Sequence, residues 1–164
     1  GYARNQGIIE SSSEIVAIVD NDLVYQDGWL EECLLMLNSF PEKKLIASPL
    51  NYPYVSINDK RWRHGQVEIN GKKYNLTERA GSNCMVMKRD IFREVGLFKL
   101  HKIAGSLFVN DYARKGYLVI SPEKNMAQDL GFRQGYNIST DIRVERTLSS
   151  GEKIALKQQT LCHK

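Results

Sequence analysis

An α/β domain, with helices packed over a sheet, is the fold this sequence predicts, and three patterns carry the expectation. Ile15, Val16, Ala17, Ile18 and Val19 form an unbroken apolar run rich in β-branched residues, as in a strand covered on both faces. Trp29, Leu30, Cys33, Leu34, Leu37 and Phe40 then recur at helical spacing, entered through Gln26-Asp27-Gly28 and stopped by Pro41. The same strand-to-helix handover returns at Cys84-Met85-Val86-Met87, where a helical stretch from Arg89 to Val95 closes on Gly96.

The other elements follow in chain order. Residues 1–13, with Ala3, Ile8 and Ile9 among polar neighbours, fit a short helix and a Ser-rich turn. Residues 45–49 read as a second short buried strand. The stretch through Asn51, Pro53, Asn58, Asp59 and Lys60 reads as loop, because prolines and turn formers break any period. Trp62, Val67 and Ile69 line one face of a ribbon turning at Asn70-Gly71. Phe108, Tyr112 and Ala113 mark a helix entered near Ser106 and ended about Gly116, before a strand at Leu118-Val119-Ile120. Past Gly131 the chain turns polar. Residues 1–148 therefore form the domain, and 149–164, anchored only by Ile154, Ala155, Leu156 and Leu161, a docked short helix or an extension.

Composition sets the class. At 164 residues, 42% apolar and 26% charged, the chain suits one globular domain, and no run of apolar residues is long enough to span a bilayer. A net charge of +4 is too small to choose among phosphates, nucleic acid and an anionic membrane. Cys33, Cys84 and Cys162 lack C-x-x-C spacing, and Cys33 and Cys84 read as buried thiols, which suits a reducing compartment; the expected location is the cytoplasm, with a peripheral place at the cytoplasmic membrane as the alternative.

Asp20, Asn21 and Asp22 stand where the first strand ends, and open α/β sheets bind ligands at the carboxyl ends of their strands. Two close carboxylates repel unless a cation or protons intervene. Hard oxygen ligands suit Mg²⁺ or Mn²⁺, which in turn neutralises a diphosphate. The plain alternative is an acidic turn that caps the next helix. Phosphoryl transfer and metal-dependent hydrolysis lack their usual marks, a Gly-rich phosphate loop or an H-E-x-x-H pair.

Ala3-Arg4-Asn5-Gln6-Gly7-Ile8, the run from Ile15 through Asp20-Asn21-Asp22, and Gly28-Trp29-Leu30 together resemble the middle of inverting family 2 glycosyltransferases. A second match runs from Gly81-Ser82-Asn83 through Lys88-Arg89, Ile91-Phe92, Val95-Gly96 and Leu97-Phe98. The resemblance covers roughly residues 1–135, with 50–78 generic. It implies a GT-A-like sheet, mostly parallel or mixed, flanked by helices. It also implies a nucleotide-sugar donor above the first helix, contacted by Arg4, Asn5, Asp20 and Asp22. Asp20-x-Asp22 resembles the DxD motif that binds Mn²⁺ or Mg²⁺, with Asp22 the first choice as direct ligand.

Inverting transfer needs a base for the acceptor hydroxyl. Asn110-Asp111, before Arg114 and Gly116-Tyr117, resembles the family's Glu-Asp pair with Asn110 in place of the first acid. Asp111 is the candidate base and Asn110 an acceptor contact, against a reading of either as a helix cap. Trp29 is the aromatic candidate for packing against an acceptor sugar, with core packing as its rival. The implied acceptor is a saccharide or a lipid-linked saccharide. His101, Lys102, His64 and His163 have no diagnostic partners, and Asp129 stands where many relatives carry a His or an aromatic residue.

Family members carry an initial half that supplies the first parallel strands and most contacts to the base. Its absence here predicts an open edge on the first strand, little transfer by the isolated chain, and pairing with the missing half, another chain or a second copy. The other class of function is a noncatalytic module using Lys43-Lys44, Lys60-Arg61-Trp62-Arg63-His64 and Lys72-Lys73 to contact protein or nucleic acid. No complete nucleic-acid motif accompanies those runs.

Overall fold

The computed structural model describes residues 1–51, 63–79, 81–101 and 103–129, together with Glu145–Thr147 and Lys153–Ala155. In chain order the elements are α1 (Tyr2–Glu10), β1 (Ile15–Val19), β2 (Leu23–Tyr25), α2 (Trp29–Asn38), β3 (Leu45–Ala47), β4 (Arg63–Ile69) and β5 (Lys72–Thr77). They continue as β6 (Cys84–Lys88), α3 (Ile91–Glu94), α4 (Ala104–Arg114), β7 (Leu118–Pro122), β8 (Ala127–Asp129), β9 (Glu145–Thr147) and β10 (Lys153–Ala155). Two compact units result, Gly1–Asp20 with Tyr25–Ala127 and Asn21–Val24 with Gln128–Lys164.

In the first unit, six strands form one sheet in the order β1-β6-β3-β7-β5-β4. Only β3 and β7 run parallel, and the other pairs are antiparallel. The sheet is therefore of the mixed kind, within the α/β architecture that the resemblance implies. Period-two alternation splits each central strand between two cores. Ile46, Met85, Met87 and Val119 point to the layer with α1 and α4, against Ile8, Phe108 and Tyr112. Leu45, Ala47, Val86 and Ile120 point to α2, against Cys33, Met36 and Leu37.

Local chemistry sets the element ends. Gly28, at φ 79, turns the chain into α2, and Glu31 and Glu32 in the first helical turn favour its positive end. Asn70 at φ 51 and Gly71 at φ 79 make the two-residue turn joining β4 to β5, with Ile69 opposite Lys72. Trp62, expected at the start of that ribbon, lies outside the described residues.

Two features differ from expectation. The apolar run of β1 predicts a strand covered on both faces, yet Val16 and Ile18 are buried while Ala17 and Val19 are exposed, which agrees instead with the open edge expected from the resemblance. α2 packs over β3, β6 and β7, and β1 stands one strand farther out. Hydrogen bonds from Arg89 N–H to Glu14 O and from Asp20 N–H to Asn83 O bracket its pairing with β6. Ile15, Ala17 and Val19 therefore turn their N–H and C=O groups to the outer edge, where no described strand pairs with them. The second difference concerns the alternative reading of Asn110 or Asp111 as a helix cap, because α4 begins at Ala104, close to the expected entry near Ser106, and runs through both. Ala104, Phe108, Val109 and Tyr112 are its buried stripe, so the helix is set by packing rather than by a polar cap.

In the second unit β9 pairs antiparallel with β10. Lys153–Ala155, in the segment read as a helix or an extension, is thus extended and paired, while Leu156, Leu161, Cys162 and His163 lie outside the described residues. None of the described helices is long and apolar enough to cross a membrane.

Candidate active site

α1 is poorly amphipathic, with Ile8 its single buried residue, so polar ties fix its place. The Asn5 side chain donates to Phe98 O at 2.8 Å and accepts from Phe98 N–H at 2.9 Å. At the other end Arg89 donates to Ile8 O at 2.8 Å, Ser11 Oγ at 2.6 Å and Ser13 O at 2.6 Å. The guanidinium thereby satisfies a carbonyl at the helix end, where positive charge is favoured.

Held this way, α1 carries Arg4 to the carboxyl end of β1, where Arg4 Nη2 donates to Asp20 Oδ1 at 2.5 Å. The Arg4 guanidinium also lies over the Phe98 ring, 5.4 Å from its centroid. Both partners remain partly open to solvent, at 25% and 35% side-chain exposure. Two residues expected to contact a donor are thus joined to each other, and Asn5, a third, spends its amide on Phe98. Asp22 lies in the second unit, in the turn before β2.

The Gly81-Ser82 turn before β6 meets α4 at Gly105. A Cβ added at Gly105 would stand 2.0 Å from Ser82 Oγ, 2.7 Å from Ser82 Cβ and 3.5 Å from Arg4 Nη1. Only glycine allows this approach. Beside it opens a cleft of about 310 Å³ lined by Arg79, Gly81, Ser82, Ser106, Val109 and Asn110. Asn110 therefore faces the cleft. Asp111, a helical step of roughly 100° away, approaches Lys99 Nζ at 3.9 Å and Arg114 Nη1 at 3.7 Å. As a residue of the last helical turn it is no N-cap.

Trp29 is partly buried against the α2 core and packs against Tyr25, with ring centroids 4.3 Å apart and the planes tilted by 30°. The Tyr25 hydroxyl reaches Cys84 Sγ at 3.6 Å. Cys84 and Cys33 are free and fully buried. Burial, helped by the charge of Asp20, pushes the Cys84 thiol up to about 11, and burial raises Cys33 further. Neither is primed as a nucleophile. His101 is exposed and accepts from Ile103 N–H within its own turn.

Among the described residues no three His, Cys, Asp or Glu side chains gather around a common point. Of the basic runs, Lys43 lies over Phe40, Lys44 pairs with Glu94 and Lys72 with Glu32.

Arg89, Phe98, Gly105 and Ser106 were not singled out as site residues from sequence. Gly105 at a helix start was the one readable signal, since glycine costs helix stability unless something needs the space. Comparison with known families matches residues 1–96 to the model described as Glycosyl transferase family 2. That span holds α1, the acidic turn, the Ser82 turn and α3, and ends before α4. No curated protein matches the chain.

Proposed function

Because this chain belongs to glycosyl transferase family 2, we propose that it transfers a sugar with inversion from a nucleotide-sugar to a saccharide or lipid-linked acceptor. The observation that carries this reading is the Arg4–Asp20 pair at the carboxyl end of β1. It joins a cation to the acid that begins Asp20-x-Asp22, the combination a diphosphate site needs.

In this reading Asp22 is the direct ligand of Mn²⁺ or Mg²⁺, and Asp20 contacts the ribose or sugar while Arg4 fixes its carboxylate. A cation held there would supply positive charge against the charge that builds on the departing diphosphate. Arg4 adds a fixed positive charge beside it, and Asn5 holds the helix that carries Arg4. The acceptor enters the cleft of Ser82, Ser106 and Asn110, where Asn110 orients it by hydrogen bonding. Its hydroxyl oxygen attacks the anomeric carbon opposite the leaving oxygen and forms the new C–O bond as the old one breaks. Asp111, the base the resemblance implies, does not line this cleft, so in this reading it takes the hydroxyl proton from an acceptor that extends past Asn110 toward the Lys99 side. Trp29, packed on Tyr25, supports the acceptor side.

Calorimetric titration of nucleoside diphosphates into the full-length polypeptide, with and without Mn²⁺, tests the donor half of this reading. Binding should need the cation and should weaken in Asp22→Asn. Cation-independent binding that survives Asp22→Asn would refute the assigned ligand.

A further inference from the structure

Residues 97–103, between α3 and α4, hold three of the exposed large apolar side chains within seven positions. Leu97 is 39%, Leu100 74% and Ile103 52% exposed. This exposure is built into the loop. Phe98, in its midst, is 2% exposed and stacks on Phe108 at 4.2 Å, while Asn5 clamps both its backbone groups. His101 N–H bonds Lys99 O at 2.9 Å and Ala104 N–H bonds His101 O at 3.0 Å. One aromatic side chain thus anchors the loop inward, and two tight turns hold it. Leu97, Leu100 and Ile103 sit three residues apart, so successive Cα atoms are at most about 11 Å apart. They project from one compact knuckle.

In sequence, Lys99, His101 and Lys102 are interleaved with the apolar residues and residues 97–108 contain no acid, although Asp111 of α4 approaches Lys99 at 3.9 Å. Apolar side chains that enter the acyl boundary, with cations at the level of the headgroup phosphates, are what an anionic bilayer surface selects. We propose that this loop docks the protein on an anionic lipid surface. Lys99 also reaches toward Asp111, so docking would bring lipid headgroups to the side of the molecule where the proposed base lies. Vesicle binding requires neither donor nor acceptor, so its outcome is separate from that of the transfer reading.

Flotation with vesicles of phosphatidylcholine, alone or mixed with phosphatidylglycerol, tests the proposal. The chain should float with the anionic vesicles and much less with the neutral ones. Leu100→Ser combined with Ile103→Ser should lower partition by about tenfold or more, and Lys99→Gln by about fivefold on anionic vesicles only. Unchanged melting temperatures of these variants would show that the fold persists. Leu100→Trp should keep binding and give blue-shifted emission on anionic vesicles. Failure to float with anionic vesicles, or equal flotation by the double serine variant, would overturn the proposal.

Discussion

Gly105→Ala sets two effects of opposite sign against each other, and the structure says which wins. Alanine is the better helix former, by about 1 kcal/mol. At this position, however, the new Cβ lands 2.0 Å from Ser82 Oγ and 2.7 Å from Ser82 Cβ. The hydroxyl can rotate away, but the Ser82 Cβ is fixed to the backbone. α4 or the Ser82 turn must retreat by about 0.7 Å or more to restore an ordinary carbon contact, and such overpacking costs about 1–3 kcal/mol. The net expectation is a loss of about 0–2 kcal/mol. In a Ser82→Gly background the clash disappears, and the same substitution should stabilise by about 1 kcal/mol. Urea denaturation of the four proteins measures this cycle, and a coupling of about 1–3 kcal/mol is expected. If Gly105→Ala stabilises the chain equally in both backgrounds, the close approach of α4 to the Ser82 turn is wrong, and so is the shape of the cleft.

Asn5→Ala removes both ties to Phe98 and should cost about 1–3 kcal/mol in thermal denaturation; an unchanged melting temperature would deny the clamp. Arg4→Met should change stability by about 1 kcal/mol or less, because the Arg4–Asp20 pair is partly exposed, yet weaken nucleoside diphosphate binding in the full-length polypeptide; unchanged binding would argue against a donor role. In a Cys162→Ser background, Cys33 and Cys84 should resist iodoacetamide until the chain unfolds, and rapid labelling at neutral pH would contradict their burial. Because burial raises Cys84 from 9.0 to about 11, the unfolded chain loses that proton first. Its contribution to stability is complete below the lower value and falls away as pH rises through the upper one. Over that window Cys84→Ala should flatten the decline in stability by up to about 1.4 kcal/mol per pH unit, and an identical slope in the variant would refute the shift.

Legibility in the sequence followed the range of the interaction. Gly71, Gly96 and Gly116 announce their turns through local backbone preference, and all three adopt positive φ. The Ile15–Val19 run named its strand, and helical spacing named α2. An open edge on β1 was expected from the resemblance, but its neighbour β6 was not readable from its residues, because strand order depends on pairings far apart in sequence, such as Val16 with Met87. The same limit hid Arg89, whose three hydrogen bonds to the end of α1 join residues more than seventy positions apart. Asn110-Asp111 also allowed a reading as a helix cap because polar pairs often are one, but the spacing of Phe108 and Tyr112 already put the helix entry near Ser106, and α4 contains both residues. Arg4 and Asp20 were each expected from sequence to contact a donor, whereas their bond to each other was not expected.

Sugar transfer itself is tested most directly by nucleoside diphosphate release from a panel of nucleotide-sugars, using the full-length polypeptide with Mn²⁺ and saccharide or lipid-linked acceptors. The predicted result is acceptor-dependent release from at least one donor that stops when the cation is chelated. It should fall by about 100-fold or more in Asp111→Asn while donor affinity holds. Release from no donor, together with salt-sensitive polynucleotide binding, would contradict the transferase reading, and full activity in Asp111→Asn would contradict the base.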